Sequence, residues 1–442
     1  MLVLLVFLEE LEKDMNNKNY EQAIRKSLKK RYAKEVRLKL YGILSISFAL
    51  SFLAVFLYTI FINGYTALQQ SQTLISVQLP SDKILNEDGR LDIKKSRNFN
   101  WSGLVKKSFR SSFPEVNEQL EKRNLSSLVS ENAGYQLRLK VENGYFEMGS
   151  KVQTWIKTSD DVDMLMKGHM DRSSPEKNRR LSDKQIEWID KLKEEGKLDL
   201  FFNSTFFTKA DSREPESAGI LGAAVGSAFA LFITLMLALP LAVMSAIYLE
   251  YFAKPGKITD FIEVNINNLA AVPSIVFGLL GLSVFLGFFG MPRSVPLVGG
   301  MVLALMTLPT IIIATRASIR AVPTSIRDAA LGLGASKMQT ATDHILPLAA
   351  PGILTGTIIG MAQALGETAP LLMIGMVAFI VDVPDTITSP ATALPVQIFM
   401  WSDSAERAFS ERASLAIMVL LVFLISMNIA AVFLRKKYET KW

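Results

Sequence analysis

The chain has no cysteine, which excludes disulfide bonds and thiolate metal sites but does not decide its compartment. Its two histidines, His169 and His344, lie far apart in the sequence, so a histidine-rich metal site is not expected. A Gly-x4-Gly-Lys-Ser/Thr phosphate loop is also missing, so this chain is not expected to be an ATPase. We therefore predict that it is not an enzyme and that it holds no metal or cofactor of its own.

Apolar sequence, in contrast, is plentiful. Half of the 442 residues are hydrophobic and 20% are charged, and the charges are gathered in a few blocks. Runs of about 20 apolar residues are long enough to cross the core of a bilayer. We predict a mainly α-helical, polytopic membrane protein with six transmembrane helices, which cover 40–62, 219–249, 270–290, 297–315, a proline-broken run within 348–381, and 414–434.

Positive charge flanks the first and last of these runs. Lys and Arg residues crowd 18–39, and Arg435-Lys436-Lys437 follow the last run. The positive-inside rule therefore predicts that both termini are cytoplasmic, with membrane lipid rather than nucleic acid explaining the net charge of +6. The predicted divisions are a basic cytoplasmic segment 1–39, a first span 40–62, a periplasmic domain 63–217, a transmembrane domain 218–434 and a cytoplasmic tail 435–442.

The stretch 63–217 is polar and has no membrane-length apolar run, yet it is long enough to fold as a domain. The alternating piece Tyr135–Val141 predicts a strand. Asp183–Glu195 predicts an amphipathic helix with Ser182 as its cap. We expect an α+β domain inserted between the first two spans. It could dock another protein, modulate a gate or brace the assembly, and the sequence leaves these roles open.

One weakly charged segment, DAALGLGASKMQTATDHILP at residues 328–347, separates two apolar runs on the predicted cytoplasmic side. Its first six residues predict the start of a helix, with an acidic residue at the positive end of the helix dipole. Gly332 and Gly334 permit a turn, Ser336 can cap a second helix, and Pro347 can occupy the first turn of the next span. The local pattern favours a short helix-turn-helix pair, with an ordinary interfacial loop as the alternative.

The spacing of this segment resembles the EAA loop of ABC importer permeases, in which acid-Ala-Ala is followed by a glycine and later by an aliphatic residue and Leu-Pro. The matching residues are Asp328, Ala329, Ala330, Gly334, Leu346 and Pro347. Asp328 replaces the usual Glu, and His344 stands where an aliphatic residue is usual. The segments at 271–282, 319–340, 366–375 and 392–401 extend the resemblance, over about residues 219–434, to the permeases of phosphate importers that carry an extra N-terminal external domain.

This resemblance implies the type I ABC importer permease fold in a bacterial inner membrane, with import of inorganic phosphate as the function. It also implies the partners: a second permease subunit, a dimer of ABC ATPase subunits that use the ATP, and a periplasmic phosphate-binding protein. The cytoplasmic loop 317–347 would couple to the ATPase. A permease for another oxyanion or small solute, and a membrane sensor with an external domain, remain the alternatives.

A carboxylate within an apolar run is costly, which makes Glu367 a candidate for the substrate pathway. It could accept a hydrogen bond from protonated phosphate and reject sulfate, or it could pair with an arginine of this or the partner chain. Thr368 and Gln363 are its neighbours in this candidate site, and some relatives carry Arg where Gln363 stands. Arg316 and Arg320 lie one turn apart and could attract an anion or act as cytoplasmic anchors.

Overall fold

The computed structural model describes residues 2–81, 83–86, 91–377 and 379–438. The chain divides into two compact units, 1–62 and 63–442. The first unit is formed by one continuous helix, α1 (Leu2–Gly64), which runs through the predicted division at residue 39 and includes the predicted first span. Within it, Lys39 and Glu35 form an exposed ion pair at 2.8 Å.

The second unit begins with the inserted domain, which we define as residues 63–217. Its sheet has the order β2-β1-β3, and β1 pairs antiparallel with both neighbours. The strands are β1 (Gln69–Gln78), β2 (Lys151–Lys157) and β3 (Leu198–Phe202). The helices are α2 (Ile93–Asn98), α3 (Trp101–Arg110), α4 (Gln119–Ser126), α5 (Ala133–Glu142), α6 (Asp160–Met166), α7 (Asp183–Glu194) and α8 (Ser204–Thr208). The expected α+β character is confirmed.

Two local predictions in the inserted domain have different outcomes. The helix capped by Ser182 is confirmed as α7, where Ser182 and Gln185 form a reciprocal capping box. The strand predicted at Tyr135–Val141 is wrong, because these residues lie in α5. Ala133, Leu137 and Val141 are four residues apart and all buried, so the helical period places them together in the core. Alternation alone did not reveal this period.

The transmembrane domain contains helices of 21 to 32 residues together with shorter ones. In chain order they are α9 (Leu221–Ile247), α10 (Lys257–Ala270), α11 (Ser274–Gly281), α12 (Pro296–Arg320), α13 (Thr324–Gly332), α14 (Lys337–Gln339), α15 (Leu346–Gly366), α16 (Ala369–Met373), α17 (Leu394–Ser402) and α18 (Arg407–Tyr438). Single π-helical turns extend α9 to Phe252 and α11 to Phe288. Among the described residues, five helices are long and apolar enough to cross a membrane, or six if one bent pair is a single span.

That bent pair corrects the third predicted span. Lys257–Ala270 and Ser274–Phe288 meet at 101°, so a straight helix over 270–290 does not form. The break coincides with Pro273, which caps α11 with extended backbone. A proline cannot donate a hydrogen bond to the preceding turn, and the residue before it avoids the helical region. Within the predicted span, the helix therefore begins only at Ser274.

Close helix contacts in the transmembrane domain depend on small residues. A Cβ at Gly300 of α12 would lie 2.6 Å from the carbonyl oxygen of Ala230 in α9. Thr234 Oγ1 also donates a hydrogen bond of 3.1 Å to the carbonyl oxygen of Gly300. In a membrane, where burial of apolar surface drives helix association weakly, such close approach supplies the packing energy.

Candidate functional site

The first candidate region is the coupling segment, which we define as residues 324–347. Its first helix, α13, begins at Thr324 rather than at Asp328, so the predicted helix start is wrong. Pro323, with its fixed φ and no N–H, precedes the helix and sets its start four residues earlier than the acidic residue indicated. Asp328 therefore lies within the helix, exposed, with Arg327 as its neighbour at 3.4 Å.

The turn after α13 is a Schellman motif. The Ala335 N–H donates to the carbonyl oxygen of Ala330, and the Gly334 N–H donates to that of Leu331, both at 3.0 Å. Gly334 has a φ of 91°, in the left-handed region that favours glycine. The prediction of a turn at this glycine is confirmed, and two backbone hydrogen bonds define its geometry.

The second helix of the coupling segment is capped as the sequence predicts. Ser336 Oγ accepts from the Gln339 N–H at 3.2 Å, and Gln339 Oε1 accepts from the Ser336 N–H at 2.9 Å. The chain continues through a π-helical turn, Thr340–Ile345, directly into α15, which has Pro347 in its first turn. The capped segment is thus joined to a membrane helix without a loop in between.

The surface of the coupling segment is concave and partly apolar. A cavity of about 550 Å³ is lined by Ala329, Ala330 and Gly334, among others. Ala330 is buried and Ala329 exposed, whereas the Leu333 side chain is 90% exposed at the tip of the turn. Leu346 is half-buried at the start of α15. The structure therefore brings the predicted coupling residues onto one short helical unit with an exposed apolar tip.

Arg316 and Arg320 are engaged with carboxylates. Arg316 Nε donates to Glu250 Oε1 at 2.7 Å, and its Nη2 donates to Glu263. Arg320 Nη2 lies 2.9 Å from the same Glu250 oxygen. These ion pairs join the ends of α9 and α12 to α10. They favour the structural role that the sequence left open for both arginines over a contact with an anion.

The second candidate region is the break between α15 and α16. Helix α15 ends at Gly366, Glu367 has extended backbone with ψ 124°, and α16 begins at Ala369. Ala364 and Leu365 point into the core, whereas Gln363 is exposed and Glu367 and Thr368 are half-buried. Gln363 and Glu367, four residues apart, thus lie on a face that the chain's own core does not cover.

The depth of Glu367 follows from the packing of α15 on α12. If a Cβ is built at the glycines of α15, its nearest neighbour in α12 is Ser318 for Gly352, Ala314 for Gly356 and Ile311 for Gly360. Extended by two turns, this antiparallel register places Glu367 level with Leu303. At a rise of about 1.5 Å per residue, that is about 10 Å inside the N-terminal end of α12. Glu367 therefore lies level with the interior of α12, one of the helices that are long and apolar enough to cross a membrane.

Nothing within the described ranges neutralises this carboxylate. No hydrogen bond or ion pair joins the Glu367 side chain to another residue described by the structure. An intramembrane carboxylate without a partner is costly unless it faces water, a ligand or another protein chain. The geometry therefore brings Gln363, Glu367 and Thr368 together and separates them from Arg316 and Arg320.

A buried ionic cluster, which we define as Asp163, Lys167, Glu411 and Arg412, joins the inserted domain to the start of α18. Lys167 Nζ lies 2.7 Å from Asp163 Oδ2 and 3.2 Å from Glu411 Oε1, and these three side chains are at most 3% exposed. Arg412 Nη2 donates to Gln70 Oε1 at 2.7 Å. This cluster was not predicted from the sequence. Its available signals were the i, i+4 spacing of Asp163 and Lys167 and a charged pair at the edge of the last apolar run.

Two families match the sequence. Residues 25–176 match a domain of unknown function, DUF3333. Residues 238–440 match the family described as binding-protein-dependent transport system inner membrane component. The first match covers most of the inserted domain together with part of α1, and the second covers most of the transmembrane domain, including both candidate regions.

Individual proteins also match part of this chain. The chain is 34% identical over 167 residues to a probable ABC transporter permease protein of Bacillus subtilis, YqgI, which is 38% of this chain and 56% of that protein. It is 30% identical over 218 residues to the phosphate transport system permease protein PstA of Mycobacterium leprae, covering 49% of this chain and 70% of that protein. Among solved structures, the MetNI methionine ABC transporter matches with a TM-score of 0.41 and 17% identity over 50% of this chain and 95% of that chain.

Proposed function

Because this chain belongs to the family of binding-protein-dependent transport system inner membrane components, the permease subunits of ABC importers, we propose that it forms half of a pathway for inorganic phosphate. The other half is a second permease subunit in the bacterial inner membrane. An ABC ATPase dimer supplies the energy, and a periplasmic phosphate-binding protein delivers the substrate. In this arrangement both termini are cytoplasmic and the inserted domain is periplasmic.

The observation that carries the proposal is the intramembrane carboxylate of Glu367. Its level is about 10 Å inside α12, and the described part of this chain offers it no partner. A phosphate ion near neutral pH retains a proton that it can donate, whereas sulfate does not. A carboxylate acceptor at the pathway therefore favours phosphate and repels an anion that cannot donate. Thr368 and Gln363 add neutral hydrogen-bonding groups on the same side.

The coupling segment supplies the second half of the mechanism. Its turn and cap are fixed by backbone and side-chain hydrogen bonds, and it continues directly into α15. We propose that the face containing Asp328, Ala329 and Gly334 docks on an ATPase subunit, with Leu333 inserted into that partner. A displacement of the segment then moves α15, whose other end holds Glu367.

Uptake of labelled phosphate tests the proposal in cells whose other phosphate importers are deleted. We expect Glu367→Gln to reduce uptake at least tenfold or to let sulfate compete, because a neutral amide neither repels sulfate nor accepts as strongly. Glu195→Gln is the control, since that exposed carboxylate pairs with Lys197 in the inserted domain. Unchanged uptake and unchanged sulfate exclusion in Glu367→Gln would contradict the role of this residue.

The substrate class needs a separate measurement. Molybdate, sulfate and phosphonates are added in turn to the wild-type uptake assay. We expect only unlabelled phosphate to compete at comparable concentration. If another oxyanion competes better than phosphate, the chain is a permease for that anion and the phosphate assignment is wrong, whereas the role as a permease subunit stands.

A further inference from the structure

A cavity of about 630 Å³ lies where the inserted domain meets the segment that leads into α9. It is separate from both candidate regions described above. Three lysines line it, Lys140 from α5, Lys157 from β2 and Lys209 at the end of α8, together with the carboxylates of Asp211 and Asp382. The remaining lining is formed by hydroxyl, amide, aromatic and aliphatic side chains.

Lys157 is the unusual member of this group. Only 8% of the residue is exposed, and its Nζ donates to Thr205 Oγ1 at 2.6 Å and to the main-chain oxygen of Glu216 at 2.7 Å. Both acceptors are neutral, and within the described ranges no ion pair involves this lysine. The carboxylates of Glu216 and Asp163 favour its charged form without contacting the ammonium, and a buried ammonium without a direct anionic partner is costly to the folded protein. An ammonium has three donors, so one remains for a further acceptor.

The other two lysines are more exposed than Lys157, and Lys140 also donates to neutral acceptors. Lys140 Nζ donates to Thr154 Oγ1 at 3.0 Å and to the main-chain oxygen of Trp155 at 2.8 Å, again neutral acceptors. Lys209 is exposed. Burial, followed by the nearby charges of Arg412 and Lys209, lowers the pKa of Lys157 to about 7. The surrounding side chains therefore stabilise the charged form of Lys157 only in part, and an anion bound beside it would favour that form.

The two aspartates do not supply the missing compensation. Asp211 Oδ1 accepts from Trp401 Nε1 at 3.0 Å and from the Ser212 N–H at 2.9 Å. Burial raises the pKa of Asp211, so its negative charge is less readily formed. Asp382 is exposed. Neither residue forms an ion pair with the lysines in the part of the chain that the structure describes.

We propose that this cavity is a binding site for a phosphate-type oxyanion, held by Lys140, Lys157 and Lys209 from three sides. Three ammonium groups on three different elements suit a tetrahedral anion, whose oxygens point in different directions and accept charge-assisted hydrogen bonds. The aspartates provide acceptors for a protonated oxygen of such an anion. The ligand is either free inorganic phosphate or the phosphate of an anionic phospholipid, and both offer the same chemistry to these residues.

Equilibrium binding of radiolabelled inorganic phosphate to the purified full-length chain tests this site, in nanodiscs made only of phosphatidylcholine. We expect Lys157→Met to weaken binding at least tenfold, since it removes a buried charge-assisted hydrogen bond. Lys209→Ala should weaken it about threefold, as expected for an exposed charge. Because Lys209 is exposed, this variant also tests the site if Lys157→Met fails to fold. Lys151→Ala, an exposed lysine on the same strand as Lys157, is the matched control.

A second arm identifies the source of the phosphate. The same variants are purified from membranes, and co-purified phospholipid is quantified by native mass spectrometry. Loss of a bound phosphatidylglycerol in Lys157→Met but not in Lys151→Ala supports the site with a lipid headgroup as its ligand. Loss of labelled phosphate binding supports it with the free ion.

Two results would overturn the inference. The first is that wild-type protein binds neither ligand in a manner that depends on these lysines. The second is that phosphate binding disappears in Glu367→Gln and persists in the lysine variants, which would place the ion in the transport pathway instead. In the second case the proposed function stands while the new site falls, so the two failures are distinguishable.

Discussion

Replacing Gly334 by valine should separate ATP hydrolysis from transport. The turn it occupies has a φ of 91°, and no heavy atom lies within 4 Å of a Cβ built there. The penalty therefore comes from the backbone and not from crowding. A left-handed conformation costs a non-glycine residue about 1–3 kcal/mol, and a β-branched side chain is at the high end of that range.

The magnitude follows from the two hydrogen bonds of the Schellman motif. A penalty of about 3 kcal/mol raises the population of the opened turn about 160-fold relative to the wild type. Opening removes the bonds from Ala335 to Ala330 and from Gly334 to Leu331, each worth about 1 kcal/mol net. The coupling segment would then bend at its tip when the ATPase subunits close, so that α15 receives less displacement.

The assay measures phosphate transported per ATP hydrolysed, in proteoliposomes that contain all partner subunits. Gly334→Val should retain ATP hydrolysis and lose most transport, and Gly334→Asn should be intermediate because asparagine tolerates the left-handed region. Gly332→Ala is the matched control. Gly332 is the last residue of α13, two positions before Gly334. A Cβ built there also meets no heavy atom within 4 Å, but the φ of Gly332 is not in the left-handed region. Equal transport per ATP in Gly334→Val and Gly332→Ala would refute the requirement for a rigid turn.

Three further outcomes are expected. Burial raises the pKa of Glu216 from 4.5 to about 7, so its carboxyl binds a proton more tightly in the folded state. This stabilisation, about 3 kcal/mol for a shift of this size, is complete below pH 4.5 and lost as the pH rises through 7. The melting temperature of Glu216→Gln should therefore vary less between pH 5 and 7 than that of the wild type, and equal slopes would contradict this. Lys167→Met should cost about 3–5 kcal/mol of stability in a denaturant titration, since it removes the cation that contacts both buried carboxylates of the cluster; a loss below 1 kcal/mol would show that the cluster is dispensable. Arg316→Ala should destabilise the protein more than Arg320→Ala, because the Arg316 side chain is 12% exposed and that of Arg320 61%; the reverse order in a thermal melt would count against the structural role.

Much of the fold could be predicted because its signals are local. The apolar runs follow from bilayer thickness, and Ser182 and Ser336 cap helices through residues only three positions away. The predicted strand at Tyr135–Val141 failed because burial of one face of α5 depends on the remainder of the domain. The bend before Ser274 could be foreseen only as a proline within an apolar run, since its angle depends on the helices packed around it.

The candidate sites show the same difference between local signals and contacts made by packing. Gly334 and Glu367 stand out in the sequence because a glycine at a turn and a carboxylate among apolar residues are unusual wherever they occur. The partners of Arg316 do not, since Glu250 and Glu263 are more than fifty positions away and reach it through helix packing. The lysine cavity is even harder to predict from the sequence. Its three ammonium groups belong to separate elements and are brought together only when β2 pairs with β1 and α5 packs beside the sheet.

The ionic cluster of Asp163, Lys167 and Glu411 has a mechanical consequence. Separating the inserted domain from α18 would expose the buried side chains of Asp163, Lys167 and Glu411 to water, which is costly, so we expect this junction to be stiff. Helix α18 has 32 residues, which corresponds to a rod of about 48 Å. We therefore expect a tilt of α18 to move the inserted domain with it. A fluorescent label at the exposed Tyr145 of the inserted domain would therefore report the angle of α18.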